Sequence, residues 1–289
     1  MKKLFLTLLL FYNILSPQFV LAEDGLQAIS YSVGAVLPDN QLSEVSYFDI
    51  ELDLGQEQEL EVVINNSSDQ DIEVKVTANT TVTNVNGVLV YNGSLDPVTE
   101  STSPKFDEIV SIEEEIVEVP ANGQANAIIS VKAPDEAFPG EILGGLHFEL
   151  HEEESEEAGI TNRFNYEIAL NMVSSQSDEV VEPKLAFKEV LELNDLFGPR
   201  LEVVFSNLTP VFLSDMDINA AVYSKDDLEN ALVTAEHSMY DIAPTYDFRF
   251  RVDLEDIELQ AGDYILKVSF GNDEEQFEFE EEFSLSESE

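Results

Sequence analysis

Cysteine, tryptophan and positive charge are the three things that this sequence lacks or has little of. The chain of 289 residues contains no cysteine and no tryptophan, and it sets 60 acidic residues against only 13 lysines and arginines. Without cysteine there is no thiol nucleophile, no disulfide and no acylated-cysteine lipid anchor. A net charge of −47 repels nucleic acid and so excludes a nucleic-acid function. The acidity fits either a solubility or salt adaptation or a basic partner, and charge alone does not separate the two.

Common catalytic motifs are missing as well. The chain contains no G-x-S-x-G, no P-loop, no G-x-G-x-x-G and no H-E-x-x-H. Glycoside hydrolysis needs only two carboxyls, one with a raised pKa, in a cleft about 5–9.5 Å across. Most acidic residues here fall on the outward faces of predicted strands. We therefore predict a protein that is not an enzyme and has no cofactor, with a carboxylate-dependent glycosidase as the less favoured alternative.

Two of the three histidines, His147 and His151, have the spacing of a zinc site. On a helix, histidines four residues apart share a face and can bind one metal. Residues 144–145 are both glycine and the flanking residues alternate, which predicts a strand that places the histidines about 13 Å apart. That is too far for one zinc ion, whose ligands lie about 2.0–2.1 Å from it. We predict two histidines at the rim of a strand and no metal site. The acidic loop at residues 152–157 could offer oxygens to calcium, but it lacks the EF-hand pattern.

The N-terminus predicts a secretory signal peptide at residues 1–22. Lys2 and Lys3 form a positive segment, an apolar stretch follows, and a small-residue cleavage site ends at Ala22. We therefore expect a secreted, extracellular protein.

The rest of the chain alternates apolar and polar residues with period two, which is typical of half-buried β-strands. Residues 48–54 are one such strand, and residues 60–76 predict a hairpin with its turn at 65–70. Asn86 and Gly87 predict a second hairpin with a two-residue turn. The acidic run at 274–282 alternates with phenylalanine, so it predicts a strand with a charged outer face.

A polar, acidic segment at residues 174–184 is the best candidate for a domain boundary. After it come seven strand candidates in about a hundred residues, a spacing typical of an immunoglobulin-like sandwich. Within them, residues 259–264 resemble a tyrosine corner, so Tyr264 should hydrogen-bond to nearby backbone. The predicted fold class is all-β, with two consecutive immunoglobulin-like β-sandwich domains at residues 25–178 and 183–286. No repeat of about 20–50 residues stands out.

Six segments resemble, in order, the WxL-interacting proteins of Gram-positive bacteria. Those in the first half are YSVGAVLPDNQ (31–41), SYFDIELDLGQEQELEVVINNSSDQDIEV (46–74) and PGEILGGLHFEL (139–150). Those in the second half are SNLTPVFLSDMDINAAVY (206–223), MYDIAPTYDFRFRV (239–252) and LQAGDYILKVSF (259–270). The resemblance covers nearly the whole chain after the signal peptide.

The resemblance implies a peptidoglycan-binding domain followed by a host-binding domain, on the surface of a Gram-positive cell. The implied partners are peptidoglycan, WxL-domain surface proteins and host extracellular proteins, and membrane anchoring would need a C-terminal helix beyond this sequence. Without tryptophan, sugar stacking would fall to Tyr47, Tyr91 or Tyr166, although alternating tyrosines are more often half-buried strand residues. A structural or adhesive module without wall binding is the alternative. The sequence assigns no residue to a ligand-binding site.

Overall fold

The structure, a computed structural model, describes residues 31–94, 104–151, 164–177, 179–255, 257 and 259–286. The predicted signal peptide and the acidic loop at 152–157 lie outside the described residues. Strands make up most of the described chain, and one four-residue helix accompanies them. None of the described residues forms a helix long and apolar enough to cross a membrane.

The first domain consists of two β-sheets packed face to face, a short helix and a separate hairpin. In chain order its elements are β1 (Tyr31–Val36), β2 (Phe48–Leu52), β3 (Glu57–Asn66), β4 (Ile72–Thr80), β5 (Val82–Thr83), β6 (Leu89–Val90), α1 (Phe106–Ile109), β7 (Val110–Ile112), β8 (Ile116–Val119), β9 (Gln124–Lys132), β10 (Glu141–Leu150) and β11 (Asn165–Ser174). Sheet A has the order β1-β3-β9-β7 and sheet B the order β2-β11-β10-β4-β8. Within these sheets β2 and β11 run parallel and the other paired strands antiparallel.

The predicted period-two pattern is what places the core between the sheets. On β2, Phe48, Ile50 and Leu52 are at most 1% exposed, while Asp49 and Glu51 lie on the opposite face. The same alternation buries one row of β3, β4, β9 and β11. Removing these apolar rows from water, at about 25 cal/mol per Å², holds the two sheets together.

Strands β3 and β4 do not form the hairpin that the sequence predicted. β3 pairs with β1 and β9 in sheet A, whereas β4 pairs with β10 and β8 in sheet B. Their buried rows, including Ile64 and Val74, therefore face each other across the core. The connection between the two strands is therefore an arch from sheet A to sheet B. The Asn66 amide stabilises it by donating to the carbonyl oxygens of Gln70 at 2.7 Å and Pro120 at 3.1 Å. This ties the turn to the strand of the other sheet.

The second domain contains seven strands, as the sequence predicted. They are β12 (Leu185–Asp195), β13 (Gly198–Asn207), β14 (Leu213–Ser224), β15 (Asp227–Ile242), β16 (Asp247–Asp253), β17 (Gly262–Gly271) and β18 (Gln276–Leu285). Sheet C has the order β12-β13-β16 and sheet D the order β15-β14-β17-β18. The Phe205 ring meets Phe270 and Phe279 edge-on at 4.9 Å in the core. The predicted tyrosine corner is present, since the Tyr264 hydroxyl donates to the Gln260 carbonyl oxygen at 2.6 Å.

Strands β5 and β6 form a hairpin that comes from the first half of the sequence but packs on the second domain. We call residues 82–90 the bridging hairpin. Val82 pairs with Val90, and Val82 is 2% exposed within the core of the second domain. Gly87 lies in the turn as predicted, with φ +76°. The turn covers residues 84–88, however, and is not the predicted two-residue turn.

Candidate functional site

The two histidines do not come together. His147 lies on β10, with its Nδ1 3.4 Å from Glu167 Oε1 but without hydrogen-bond geometry. The Nε2 atom of His151 is 3.9 Å from Glu73 Oε2. Within the described ranges, no group of three or more His, Cys, Asp or Glu side chains could hold a metal ion. The predicted rim position is wrong for His147, which is 6% exposed. On the same face of β10, two residues earlier, the Tyr91 ring packs on Gly145.

The two glycines of β10 make room for aromatic rings. A Cβ atom at Gly144 would lie 2.1 Å from the Phe106 ring, and one at Gly145 would lie 2.4 Å from the Tyr91 ring. Neighbouring strand residues point to opposite faces, so one ring packs on each side of β10. The pairing of β10 continues through both glycines without a register shift. Close approach of side chains therefore explains the Gly-Gly pair.

The three candidate tyrosines have different surroundings. Burial raises the pKa of Tyr91, whose ring is packed on Gly145 and is not free to stack on a sugar. Tyr47 is 37% exposed, and its pKa is raised by partial burial and by the charge of Asp49. Tyr166 packs edge-on against Tyr31 at 5.0 Å and donates its hydroxyl to the Tyr31 carbonyl oxygen at 2.9 Å. Of the three, Tyr166 borders an open cleft.

This cleft, which we call the amide cleft, lies at one end of sheet A and has a volume of about 630 Å³. It is lined by side chains and backbone of Tyr31, Ser32, Asn65, Asn66, Ser67, Asn122, Gly123, Gln124 and Tyr166. Ser32, Asn65 and Gln124 are register partners across β1, β3 and β9. Apart from two tyrosine hydroxyls, none of these lining residues is ionisable. A ligand in the cleft would meet neutral amides on a chain of net charge −47.

Three side-chain amides in the cleft are available to a ligand. Asn65, Asn122 and Gln124 make no side-chain hydrogen bond to any described residue, and all three are exposed. Asn66 differs: it is 3% exposed, and its Oδ1 accepts from the backbone N–H of Ser68 at 2.9 Å. Each free amide offers both donors and an acceptor. The arrangement, in a volume typical of ligand pockets, is suited to a neutral, hydroxyl-rich or acetamido-bearing molecule.

The amide cleft faces away from the second domain. Strand β10 starts at the contact between the domains with Glu141, and it ends beside the cleft, where the Tyr31 hydroxyl donates to the Phe148 carbonyl oxygen at 3.0 Å. At about 3.3 Å per residue, roughly 23 Å of strand separates Glu141 from Phe148. A ligand in the cleft would therefore not touch the second domain.

Glu141 is a carboxyl of the kind that the glycosidase alternative requires. Burial raises its pKa and the charge of Asp49 adds to the rise, while hydrogen bonds from the Phe212 N–H and the Asn171 amide oppose it. Its Oε1 accepts from the Phe212 N–H at 2.5 Å, and its own N–H donates to the Pro210 carbonyl oxygen at 2.9 Å. Glu141 thus lies in the contact between the two domains, which accounts for its burial, and outside the amide cleft.

Sequence reasoning did not find the amide cleft. The predicted turn at residues 65–70 includes Asn65, but no local pattern shows that Asn122 lies at the same end of sheet A. The meeting follows from the arch between β3 and β4, where the sequence predicted a hairpin. The tyrosine pattern did include Tyr166, which lines the cleft.

The fold and the matching family models describe a protein built from two β-sandwich binding domains. The predicted fold class is confirmed: the chain is all-β, with two immunoglobulin-like domains, and the two family models that match it both describe binding domains. The model "WxL Interacting Protein, peptidoglycan binding domain" matches residues 31–150, and "WxL Interacting Protein, host binding domain" matches residues 155–289. Because these matches cover most of the sequence, the chain belongs to the WxL-interacting protein family. The second match includes β11, which in the structure is a strand of sheet B.

Solved structures that align with this chain include two chaperones and a human domain. The class 5 fimbriae chaperone CfaA is 13% identical, with a TM-score of 0.33 and coverage of 87% of this chain and 98% of that one. The chaperone YadV is 11% identical, with a TM-score of 0.34 and coverage of 88% and 100%. The PapD-like domain of human CEP192 is 12% identical, with a TM-score of 0.33 and coverage of 52% and 87%. A comparison with curated proteins found no match.

Proposed function

We propose that this protein is a non-enzymatic scaffold of the Gram-positive cell surface. Its first domain attaches to peptidoglycan through the amide cleft, and its second domain binds host extracellular protein. WxL-domain surface proteins are further partners of the scaffold. We place the boundary between the two domains at residues 174–184. The family matches support the two binding roles.

The uncharged lining of the amide cleft is the observation that carries the wall-binding role. A chain of net charge −47 repels anionic wall polymers, so its affinity for the wall has to come from contacts other than net attraction. Glycan strands of peptidoglycan present neutral hydroxyl and acetamido groups, which match the donors and acceptors of Asn65, Asn122 and Gln124. The half-buried ring of Tyr166 adds an apolar surface for a sugar ring. Such contacts are screened little by salt.

WxL-domain proteins require a different kind of surface, and the open sheet edges provide one. Strand β15 is 16 residues long and lies at the end of sheet D. Its last residues contact the bridging hairpin, and the part before Tyr240 is the edge that we propose for a partner. An edge strand can pair with an added strand of a partner through main-chain hydrogen bonds, without special side chains. This mode leaves the amide cleft free, so the scaffold can hold wall and partner at the same time.

The test is co-sedimentation of the purified secreted chain with insoluble cell-wall sacculi at low and high salt. We expect sedimentation that survives high salt and that weakens at least about fivefold in Asn65→Ala/Gln124→Ala, because each lost hydrogen bond contributes about 0.5–1.5 kcal/mol. The matched control is Asn194→Ala/Gln260→Ala, which removes two exposed amides from the second domain and should bind like the unaltered chain. Adding a purified WxL-domain protein should bring it into the pellet only when the scaffold is present.

Each possible result bears on a separate part of the proposal. Equal binding by both double variants would refute the cleft while leaving wall binding intact. No sedimentation of the unaltered chain at either salt would refute wall binding and leave a protein-binding scaffold. Release of reducing sugar from the sacculi would revive the glycosidase alternative.

A further inference from the structure

We infer that the two domains are one rigid unit, because the bridging hairpin of the first domain completes the core of the second. This inference does not depend on which ligand either domain binds. Val82 is a buried member of the second core, and Leu89 and Val90 pack against that core half-buried. The next residue along the sequence that is buried in this core is Leu185. The second domain therefore lacks part of its apolar core when residues 82–90 are removed.

The tip of the bridging hairpin is hydrogen-bonded to the end of β15. The Ala243 N–H donates to Thr83 Oγ1 at 2.9 Å. The Asp241 N–H donates to the Gly87 carbonyl oxygen at 2.9 Å. The Tyr240 hydroxyl donates to the Asn84 carbonyl oxygen at 3.1 Å. The Tyr240 hydroxyl also donates to the Arg249 carbonyl oxygen within its own domain at 2.6 Å, so the backbone donors of Asp241 and Ala243 are the groups that depend on the hairpin for a partner.

Gly87 is the residue that lets the hairpin tip lie flat against Tyr240. Its φ of +76° lies in the left-handed region, and a Cβ atom there would be 2.4 Å from the Tyr240 ring. Tyr240 is 1% exposed, and burial raises the pKa of its hydroxyl. The Asn-Gly pair thus serves two purposes, forming the turn and allowing the ring of the other domain to pack on it.

The stems of the hairpin are fixed to the first domain on both sides. Before it, the Thr81 N–H donates to the Leu143 carbonyl oxygen at 3.3 Å. After it, the Asn79 amide donates to the Tyr91 carbonyl oxygen at 2.6 Å. The hairpin is therefore held at its tip by the second domain and at both stems by sheet B.

In the part of the chain that the structure describes, two further links join the domains away from the hairpin. One is the chain itself at residues 175–184, and the other is the pair of bonds between Glu141 and residues 210–212. Three separate links fix the relative orientation of two bodies, whereas a single flexible linker would leave them free to rotate. The amide cleft consequently has a fixed position and direction relative to sheets C and D. A mechanical force applied between the cleft and the second domain would be transmitted through these three links.

Hydrogen exchange of the full chain tests this directly. Val82→Ala should raise amide exchange in β16 and β17 of the second domain about tenfold or more, because deleted core methyl groups promote opening. Val76→Ala is the matched control: the same substitution at a residue 0% exposed in the first core should raise exchange first in sheets A and B. Unchanged exchange in β16 and β17 of Val82→Ala would overturn the inference.

Nitrogen-15 relaxation of the unaltered chain is the second measurement, and it does not depend on a variant folding. A rigid unit gives one rotational correlation time for amides of all four sheets. Two distinct correlation times, one per domain, would show that the domains tumble separately and would refute the rigid joint.

Discussion

Gly144→Ala tests whether the Gly-Gly pair of β10 exists to admit aromatic rings. A new Cβ atom would lie 2.1 Å from the Phe106 ring, whereas ordinary contact begins at 3.4 Å, so the ring would have to move by about 1.3 Å or more. Phe106 is 1% exposed and belongs to the first core, where side chains are closely packed. Overpacking of this kind costs about 1–3 kcal/mol. If α1 instead lifts away, the loss approaches the 3–5 kcal/mol typical of Phe→Ala.

A double-mutant cycle separates this contact from a general intolerance of β10. In Phe106→Ala the ring is absent, so adding Gly144→Ala should cost close to nothing, and the two single losses should exceed the loss in the double variant by about 1–3 kcal/mol. The control is Gly34→Ala on β1, where a Cβ atom would meet nothing within 4 Å. That variant should stay within about 0.5 kcal/mol of the unaltered chain.

Urea unfolding followed by circular dichroism measures these quantities, since the chain has no tryptophan and tyrosine emission is weak. The reasoning is refuted if the losses of Gly144→Ala and Phe106→Ala add to within about 0.5 kcal/mol, because additivity means that the two sites do not interact. It is also refuted if Gly144→Ala is as mild as Gly34→Ala.

Two further predictions concern the joint and the turns. Burial raises the pKa of Glu141, so its carboxylate costs stability above the folded pKa, and this cost disappears as the pH falls towards the unfolded value of about 4.3. Glu141→Gln keeps an acceptor for the Phe212 N–H and should therefore raise the melting temperature at pH 7.5 and leave it unchanged at pH 4; a larger gain at pH 4 would contradict the sign. Asn207 is 2% exposed and donates to Val211 and Ala243 carbonyl oxygens, so Asn207→Ala should cost at least about 1–3 kcal/mol in urea unfolding, the cost of leaving a buried polar group unpaired. A cost below 0.5 kcal/mol would show that water replaces the amide.

The sequence predicts strands and their buried faces far better than it predicts strand partners. Period-two alternation identifies the apolar row of β2 and all seven strands of the second domain, because burial acts on each strand separately. It carries no information about which strand lies alongside, which is why residues 60–76 read as a hairpin although β3 and β4 belong to different sheets. The Asn86–Gly87 signal marks a turn correctly, but the destination of the hairpin depends on contacts with Tyr240, more than 150 positions away along the chain.

The candidate site was least predictable because it is built from strand ends and turns that are distant in the sequence, and not from a motif. Neutral amides such as Asn65 and Gln124 have no spacing in the sequence that distinguishes ligand contact from an ordinary exposed position at a strand end. His147 shows the converse, since its spacing with His151 suggested a metal site although it is a buried residue of strand β10. A pattern across the whole chain was nevertheless present: LEVVINNSS at residues 60–68 and LEVVFSNLT at residues 201–209 share their first four residues and an asparagine.

The shared asparagine is Asn66 in the first domain and Asn207 in the second, and it makes the same hydrogen bonds in both. Asn66 donates to the carbonyl oxygen four residues ahead, at Gln70, and its Oδ1 accepts from the backbone and hydroxyl of the residue two ahead. Asn207 does likewise with Val211 and with the backbone and hydroxyl of Thr209. Both strands, β3 and β13, therefore end in the same turn at the same place in their sandwiches.

The two domains differ in what contacts the end of the sandwich that contains this turn. In the second domain, the turn itself contacts the first domain, since the Pro210 carbonyl oxygen accepts from the Glu141 N–H at 2.9 Å. In the first domain the corresponding end is the amide cleft, and among the described residues no other domain packs on it. In the second domain this end of the sandwich is therefore buried in the contact between the domains. In the first domain the same end lies at the opposite extremity of the molecule. An uncharged cleft at that extremity suits attachment to the wall, because the rigid joint then directs the second domain away from the attachment point.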